Sequence, residues 1–206
     1  MTRRVRGVVR AERHRPRARA VGGLTAACAL LAGCAANPER EQPAEVYPQV
    51  EFRYDQAIRR SLAEVPGSRL LDTVLRDPRS AEPVWRSEVA TPDGTVHAVR
   101  VDASGGRLKD TQVPPGQDGA RRADVTARLA GAKILPEDAA REVTRPEYGK
   151  VTDVALREDR AAGGRTFWYV TVTERPRGQE DVDSAVYKVD AATGDVADRS
   201  SVAPVS

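Results

Sequence analysis

The sequence contains few of the side chains that perform catalysis or bind metal ions. It has two cysteines, Cys28 and Cys34, and His97 is the only histidine beyond residue 14. A zinc site needs several Cys or His ligands, and a nucleophilic serine needs a nearby base such as histidine. No nucleophile-elbow motif accompanies His97, which we expect to be solvent-facing or hydrogen-bonded on a predicted strand. We therefore predict no catalytic residue, no cofactor and no metal site.

Clustered carboxylates can bind calcium, and the best candidate segment contains Glu180, Asp181 and Asp183. Dedicated calcium loops place their oxygen ligands at alternate positions around a sharp turn. These three carboxylates lack that spacing. We interpret the segment as the solvated end of a hairpin that covers residues 175–184.

The sequence also lacks an apolar run long enough to cross a membrane. The apolar stretch at residues 20–32 is well short of the roughly 20 residues that a spanning helix needs. It follows eight arginines within residues 3–19 and ends just before Gly33. A basic segment, a short apolar core and small residues before a cleavage site are typical of a secretory signal.

The residues Leu31-Ala32-Gly33-Cys34 resemble the lipobox of bacterial lipoproteins. This resemblance implies cleavage after residue 33, removal of the signal peptide 1–33 and attachment of diacylglycerol to Cys34. The protein would then be lipid-anchored to the cell membrane on its extracytoplasmic face, because two acyl chains suffice for durable anchoring. An ordinary secretory signal with a chance cysteine is the alternative. The pair Arg3-Arg4 leaves export by the twin-arginine route open.

The excess of positive charge belongs to the predicted signal peptide. The whole chain has 33 basic and 30 acidic residues, a net charge of +3. Residues 1–33 hold eight arginines and one acidic residue, so the remainder has 25 basic and 29 acidic residues, a net charge of −4. A nucleic-acid partner needs a retained basic surface. We therefore expect no nucleic-acid binding.

Residues 34–49 form a predicted tether between the anchor and the folded part. Prolines at positions 38, 43 and 48 alternate with charged residues, a composition that favours extended, solvated backbone. At about 3.1 Å per residue, this segment would hold the folded part up to ~45 Å from the membrane.

The pattern of the remaining residues predicts two tandem copies of one α+β unit. Repeat 1 covers residues 50–113, a linker with a short helix covers residues 114–134, and repeat 2 covers residues 135–206. Each repeat has a short helix followed by antiparallel strands, predicted from helical and alternating spacing and from turn residues. The predicted helices begin at Tyr54 and Leu135, and the linker helix covers residues 121–132. The predicted strands are 70–75, 84–90, 96–103 and a short return at 107–110, then 151–157, 166–173 and 185–191.

Three matches connect the repeats. Val101-Asp102-Ala103-Ser104-Gly105 corresponds to the segment from Val189 to Gly194 with one residue of slippage, Trp85 corresponds to Trp168, and Gln56-Ala57 corresponds to Asp138-Ala139. We expect both tryptophans in the core, because each lies in an alternating strand.

This order of a helix, several strands and a Val-Asp turn with glycine resembles the PepSY family. The resemblance implies a helix packed on a small antiparallel sheet in each repeat. PepSY domains occur in propeptides of secreted proteases and in bacterial envelope proteins, and the family implies an inhibitory or protein-binding role without catalysis.

Four residues are predicted to shape the final turn of each repeat: Asp102 and Gly105 in the first, Asp190 and Gly194 in the second. A short carboxylate that enters a tight turn accepts backbone N–H bonds and holds the hairpin. We expect this structural role in preference to a ligand or metal role.

The sequence thus predicts a membrane-anchored, non-catalytic extracytoplasmic interaction module with a protein or peptide partner, such as an envelope protease that it binds or restrains. The alternative is a lipoprotein that captures a small ligand or peptide between its repeats, and a hydrolase is the third interpretation. An apolar groove between the repeats would favour ligand capture. A flat or protruding surface with exposed aromatic residues would favour the interaction module.

Overall fold

The computed structural model describes residues 46–144, 149–174 and 182–202. The predicted signal peptide, Cys34, most of the predicted tether, and residues 180 and 181 of the acidic segment lie outside these ranges. The helices are α1 (Tyr54–Glu64), α2 (Gly119–Gly131) and α3 (Pro136–Val143). The strands are β1 (Arg69–Arg76), β2 (Val84–Ala90), β3 (Val96–Asp102), β4 (Leu108–Gln112), β5 (Lys150–Asp159), β6 (Arg165–Glu174), β7 (Asp183–Asp190) and β8 (Val196–Val202).

All eight strands form one antiparallel sheet in the order β4-β3-β2-β1-β5-β6-β7-β8. The α+β class is therefore confirmed, and the strands make one continuous sheet in place of two small ones. Each strand pairs with its neighbour in the sequence except at the centre, where β1 pairs with β5. We call this β1–β5 ladder the seam. It separates residues 46–113 from residues 135–202, which we call the first and second halves.

Helix α1 forms because its first turn is capped from within the chain. The Gln56 side chain accepts a hydrogen bond from the Arg53 backbone N–H at 2.7 Å, which satisfies a donor that lies before the helix. Asp55 in the first turn is favoured by the positive end of the helix dipole. The helix ends before Pro66-Gly67, and Gly67 has a φ of 77°. Its buried residues are Ala57, Ile58 and Ser61.

The linker helix and the helix of the second half also form where the sequence predicts them. The Asp118 side chain accepts a hydrogen bond from the Arg121 backbone N–H at 2.8 Å and caps α2, whose Val125 and Leu129 are buried. Helix α3 begins with Pro136, whose missing N–H costs nothing at this position. No helix of the described residues is long and apolar enough to span a membrane.

The three helices cover one face of the sheet and share a single hydrophobic core with it. Helix α1 packs on β1, β2 and β3 and also contacts β5 across the seam, whereas α2 and α3 pack on β5 and β6. Trp85 is fully buried in the first half, and Trp168 is 2% exposed in the second. The prediction that both tryptophans are core residues is confirmed.

The end of the predicted tether packs against the fold, which corrects the boundary at residue 49. Val46 is buried, and the Gln49 carbonyl accepts a hydrogen bond from the Ser104 hydroxyl at 3.0 Å. The Lys150 ammonium donates hydrogen bonds to the carbonyls of Tyr47 at 3.0 Å and Val50 at 2.7 Å. Apolar residues between the prolines give this part of the segment enough surface to bury, so the folded part has begun by Val46.

Candidate functional site

The described helices pack on one face of the sheet and leave the other face uncovered. We call it the open face. Side chains alternate between the two faces of a strand, so the neighbours of a core residue point to the open face. On β1 the core side includes Leu75, while Asp72, Val74 and Arg76 lie on the open face. Their cross-strand neighbours there are Arg86 and Glu88 on β2 and Asp153, Ala155 and Arg157 on β5.

A shallow concavity of about 130 Å³ lies over the seam. It is lined by Asp72, Val74, Arg76, Asp153, Ala155 and Arg157. Burial raises the pKa of Asp72 to about 7, and repulsion from Glu88 and Asp153 adds to this, against the smaller attraction of Arg86. Burial also raises the pKa of Asp153, although Arg157 and Arg76 oppose the change. The centre of the open face therefore holds carboxyls that ionise less readily than ordinary surface carboxyls.

In the second half, a layer of cations covers the aromatic residues of the open face. The Lys188 ammonium lies 4.2 Å from the centroid of the Phe167 ring, and the Arg165 guanidinium lies 5.2 Å from it. These cations form ion pairs with Asp159 and Asp190. The layer explains why Phe167 is only 1% exposed although its position alternates with Trp168. The Arg157 guanidinium lies over the Tyr169 ring, 5.8 Å from the centroid of that ring.

A second concavity of about 290 Å³ lies between α2 and the end of β5. Its lining residues, Asp124, Arg128, Arg157, Glu158 and Arg160, are all charged. Small-molecule sites are mostly apolar enclosures of about 300–1,000 Å³. Neither concavity has this character, so the apolar groove that would favour ligand capture does not lie at the seam.

The two predicted turn aspartates lie in equivalent turns. The Asp102 carboxylate accepts a hydrogen bond from the Ser104 N–H at 3.1 Å. The Asp190 carboxylate accepts bonds from the N–H groups of Ala192 at 2.8 Å and Thr193 at 3.0 Å. Burial raises the pKa of Asp190, but these bonds and Arg165 outweigh that effect and hold it below its usual range.

The glycine that closes the first turn is Gly106, not the predicted Gly105. Gly106 has a φ of 72° and Gly194 has a φ of 89°, both left-handed, whereas Gly105 has no positive φ. The Gly106 N–H donates to the Asp102 carbonyl at 2.9 Å, and the Gly194 N–H donates to the Asp190 carbonyl at 2.9 Å. The two turns therefore correspond residue for residue, and the slippage inferred from the sequence disappears.

His97 lies half-buried on the helix side of β3, opposite Val89. Within the described ranges, no group of three or more His, Cys, Asp or Glu residues is placed to hold a metal ion. Of the proposed calcium carboxylates, only Asp183 is described, and it is exposed at the start of β7.

The carboxyl cluster at the seam was missed in the sequence. Its signal is Asp72, an acidic residue inside the apolar strand Leu70 to Leu75. Charged residues are seldom buried in such strands unless they are paired. The partner strand β5 lies far away in the sequence, so the neighbours of Asp72 could not be inferred from spacing.

Comparison with known proteins gives little further information. No family model matches the chain. No curated protein matches it. A solved structure of a protein from Clostridium difficile 630, described as a "putative lipoprotein", matches with 18% sequence identity and a TM-score of 0.44. The match covers 77% of this chain and 99% of that chain. This similarity is too weak to establish a common fold or function, and the PepSY resemblance stays a prediction.

Proposed function

We propose that this protein is a lipid-anchored, non-catalytic interaction protein on the extracytoplasmic face of the cell membrane, and that the open face of its sheet contacts a protein or peptide partner. The observation that carries the proposal is the open face itself, which the described helices leave uncovered. The start of the chain supports the anchor, because the short apolar stretch at residues 20–32 leads into small residues directly before Cys34.

The chemistry of the open face supports a polar, extended contact. Its arginines include Arg86 and Arg157, which are exposed, and its carboxyls lie between them at the seam. Arginine is enriched at protein interfaces, whereas small ligands need enclosure. A partner with alternating acidic and basic side chains fits this arrangement.

We also propose that the two halves are tandem repeats of one unit. The Trp85 indole N–H donates to the Phe52 carbonyl at 2.6 Å, just before α1. The Trp168 indole N–H donates to the Ile134 carbonyl at 3.3 Å, just before α3. The backbone N–H groups of Phe52 and Ile134 in turn donate to the carbonyls of Ala103 and Ala191, one residue after each turn aspartate. Matching bonds in the same relative places support a duplication, and the strand order, which is symmetrical about the seam, agrees with it.

The anchor is tested by changing Cys34→Ala in the full-length chain. We expect this variant to lose acylation and to leave the detergent phase after phase separation, while Cys28→Ala, inside the predicted signal peptide, partitions like the unchanged protein. Partition of the Cys34→Ala variant into the detergent phase, equal to that of the unchanged protein, would refute the anchor.

The contact surface is tested by charge reversal on the membrane-anchored protein in its own host. We expect chemical cross-linking to give a saturable product with one extracytoplasmic protein. Arg86→Glu and Arg157→Glu on the open face should reduce its yield several-fold. Arg60→Glu is the matched control, because Arg60 is exposed on α1 and faces away from the sheet. Equal loss from the Arg60 variant, or no loss from the open-face variants, would exclude this surface.

A further inference from the structure

The seam is a narrow junction between two wide parts of the sheet. It consists of three residue pairs, Asp72 with Ala155, Thr73 with Val154 and Val74 with Asp153. The adjoining ladders are longer, with seven pairs between β1 and β2 and nine between β5 and β6. The backbone pairing of the two halves therefore depends on few hydrogen bonds. Repulsion between side chains across the seam weakens a ladder that has only these three pairs.

Carboxyls from three strands meet at the seam. Asp72 lies directly opposite Glu88, and side chains in such positions have Cβ atoms about 4.5–5.5 Å apart. Asp153 lies diagonally across the seam from Asp72, at a typical separation of about 7–8 Å. Like charges directly opposite each other destabilise a sheet. Glu88 stays opposite Asp72 whether or not the seam is paired, whereas pairing of β1 with β5 buries Asp72 and brings Asp153 towards it. Ionised Asp72 therefore disfavours the paired state through burial and through the repulsion from Asp153.

Basic groups offset only part of this repulsion. The groups that face Asp72 on the open face are Glu88 and Arg86 on β2, Arg76 on β1, Asp153 and Arg157 on β5, and Tyr169 on β6. Arg86 is 3.3 Å from Glu88 and forms an ion pair with it, and Arg157 lies over the Tyr169 ring. Asp72 is half-buried among them. Helix α1 packs on the opposite face of β1 and brings no charge to this side.

We propose that the seam is a proton-sensitive joint: protonated Asp72 keeps β1 and β5 paired, and loss of that proton weakens the pairing of the two halves. This inference concerns the fold itself and does not depend on the anchor or on the partner. It gives the chain a response to the acidity of its surroundings at the centre of the open face.

The direction of the response follows from the proton balance. In the paired state the pKa of Asp72 is about 7. Opening the seam relieves the burial of this carboxyl and removes Asp153, so the pKa falls towards the ordinary value of 3.8, although Glu88 on β2 stays opposite Asp72 and keeps the pKa above that value. At a pH between the pKa of the open state and the pKa of the paired state, Asp72 holds a proton when the seam is paired and has lost it when the seam is open. Raising the pH through this interval therefore favours opening by up to about tenfold per pH unit, and the effect levels off above about pH 7.

Hydrogen exchange of the full-length chain in detergent micelles tests the joint. Amide exchange is measured from pH 4.5 to 8 and corrected for the intrinsic pH dependence of exchange. We expect amides of β1 and β5 to exchange faster by up to about tenfold per pH unit until about pH 7, while amides of β6 and β7 change far less. Asp72→Asn mimics the protonated carboxyl and should abolish this dependence.

Two further variants separate titration from a purely structural role. Glu88→Gln removes the opposing charge, so the levelling-off point should move to lower pH. Asp198→Asn changes an exposed carboxylate on β8 and should leave the profile unchanged. The proposal is overturned if Asp72→Asn retains the pH dependence, if Glu88→Gln does not move it, or if all strands respond equally.

Discussion

At the scale of single residues, the turn that precedes β4 shows how the absence of a side chain at one position leaves space for a side chain that is distant in the sequence. Gly106 takes a left-handed conformation because its N–H must reach the Asp102 carbonyl. A Cβ atom on Gly106 would lie 2.3 Å from the Phe52 ring. The absence of a side chain at this position therefore leaves space for Phe52, whose carbonyl accepts the bond from Trp85.

We expect Gly106→Ala to lower the free energy of unfolding by about 2 kcal/mol or more. The left-handed conformation alone costs a residue with a Cβ about 1–2 kcal/mol, and displacement of the Phe52 ring adds to it. Gly105→Ala is the control, because its Cβ would make an ordinary contact of 3.6 Å with Asp102. Urea unfolding of residues 41–206 measures both. Equal destabilisation by the two variants would contradict the assignment of the turn to Gly106.

At the scale of elements, α2 is held at both ends by the first half of the chain. The Arg69 guanidinium on β1 donates hydrogen bonds to the carbonyls of Leu129 at 2.7 Å and Ala132 at 2.6 Å, at the C-terminal end of α2. At the other end, a Cβ on Gly94 would lie 2.3 Å from the Arg122 carbonyl oxygen, so the β2–β3 turn contacts the helix directly. Contacts with β1 and with the β2–β3 turn therefore hold the linker helix in place.

We expect Arg69→Ala to destabilise the protein by about 1 kcal/mol. The Arg69 guanidinium is a charged donor in both hydrogen bonds, and the negative end of the α2 dipole attracts it. Arg69 is exposed, however, and screening by solvent reduces the contribution of these interactions. Arg59→Ala removes an exposed arginine whose ion pair with Asp55 lies within α1, and should cost less than about 0.5 kcal/mol. Urea midpoints compare the two. A larger loss for Arg59→Ala would exclude the Arg69 clamp.

Individual elements were predictable because their signals are local. Strand β2 has the predicted bounds, since apolar alternation and the turn that follows it both lie within the segment. The seam was not predictable, because β1 and β5 are distant in the sequence. The register of β1 also shifts between Leu70 and Asp72, and one extra residue reverses which side chains point to the open face. The carboxyl cluster at the seam was therefore not predictable from the sequence, although the acidic residue Asp72 within an apolar segment is a signal of it.

At the scale of the whole molecule, one core extends across the seam beneath all three helices. Core residues of the first half, such as Trp85 and Val101, belong to the same cluster as Trp168 and Val189 of the second. The halves thus share buried surface and do not form two independent domains. The seam on the open face and the common core on the helix side both join them.

We expect this shared core to make unfolding a single cooperative transition. The chain has two tryptophans, one in each half, so Trp85→Phe and Trp168→Phe each leave one fluorescent reporter. In each variant of residues 41–206, tryptophan fluorescence and far-UV circular dichroism should give the same urea midpoint at pH 5. Trp85→Phe should be the more destabilising, because it removes the shorter hydrogen bond, 2.6 Å against 3.3 Å. Separate midpoints within one variant would contradict a common core.

The strand order has a consequence for how the chain reaches this structure. Six of the seven ladders join strands that follow one another in the sequence, so they form by closing short loops. The β1–β5 ladder alone requires the chain to close a loop that contains β2, β3, β4, α2 and α3. The entropy of loop closure makes such long-range pairing slow compared with hairpin formation. We therefore expect two hairpin-rich intermediates to form early during refolding, and the final, rate-limiting event to be their joining at the centre of the sheet.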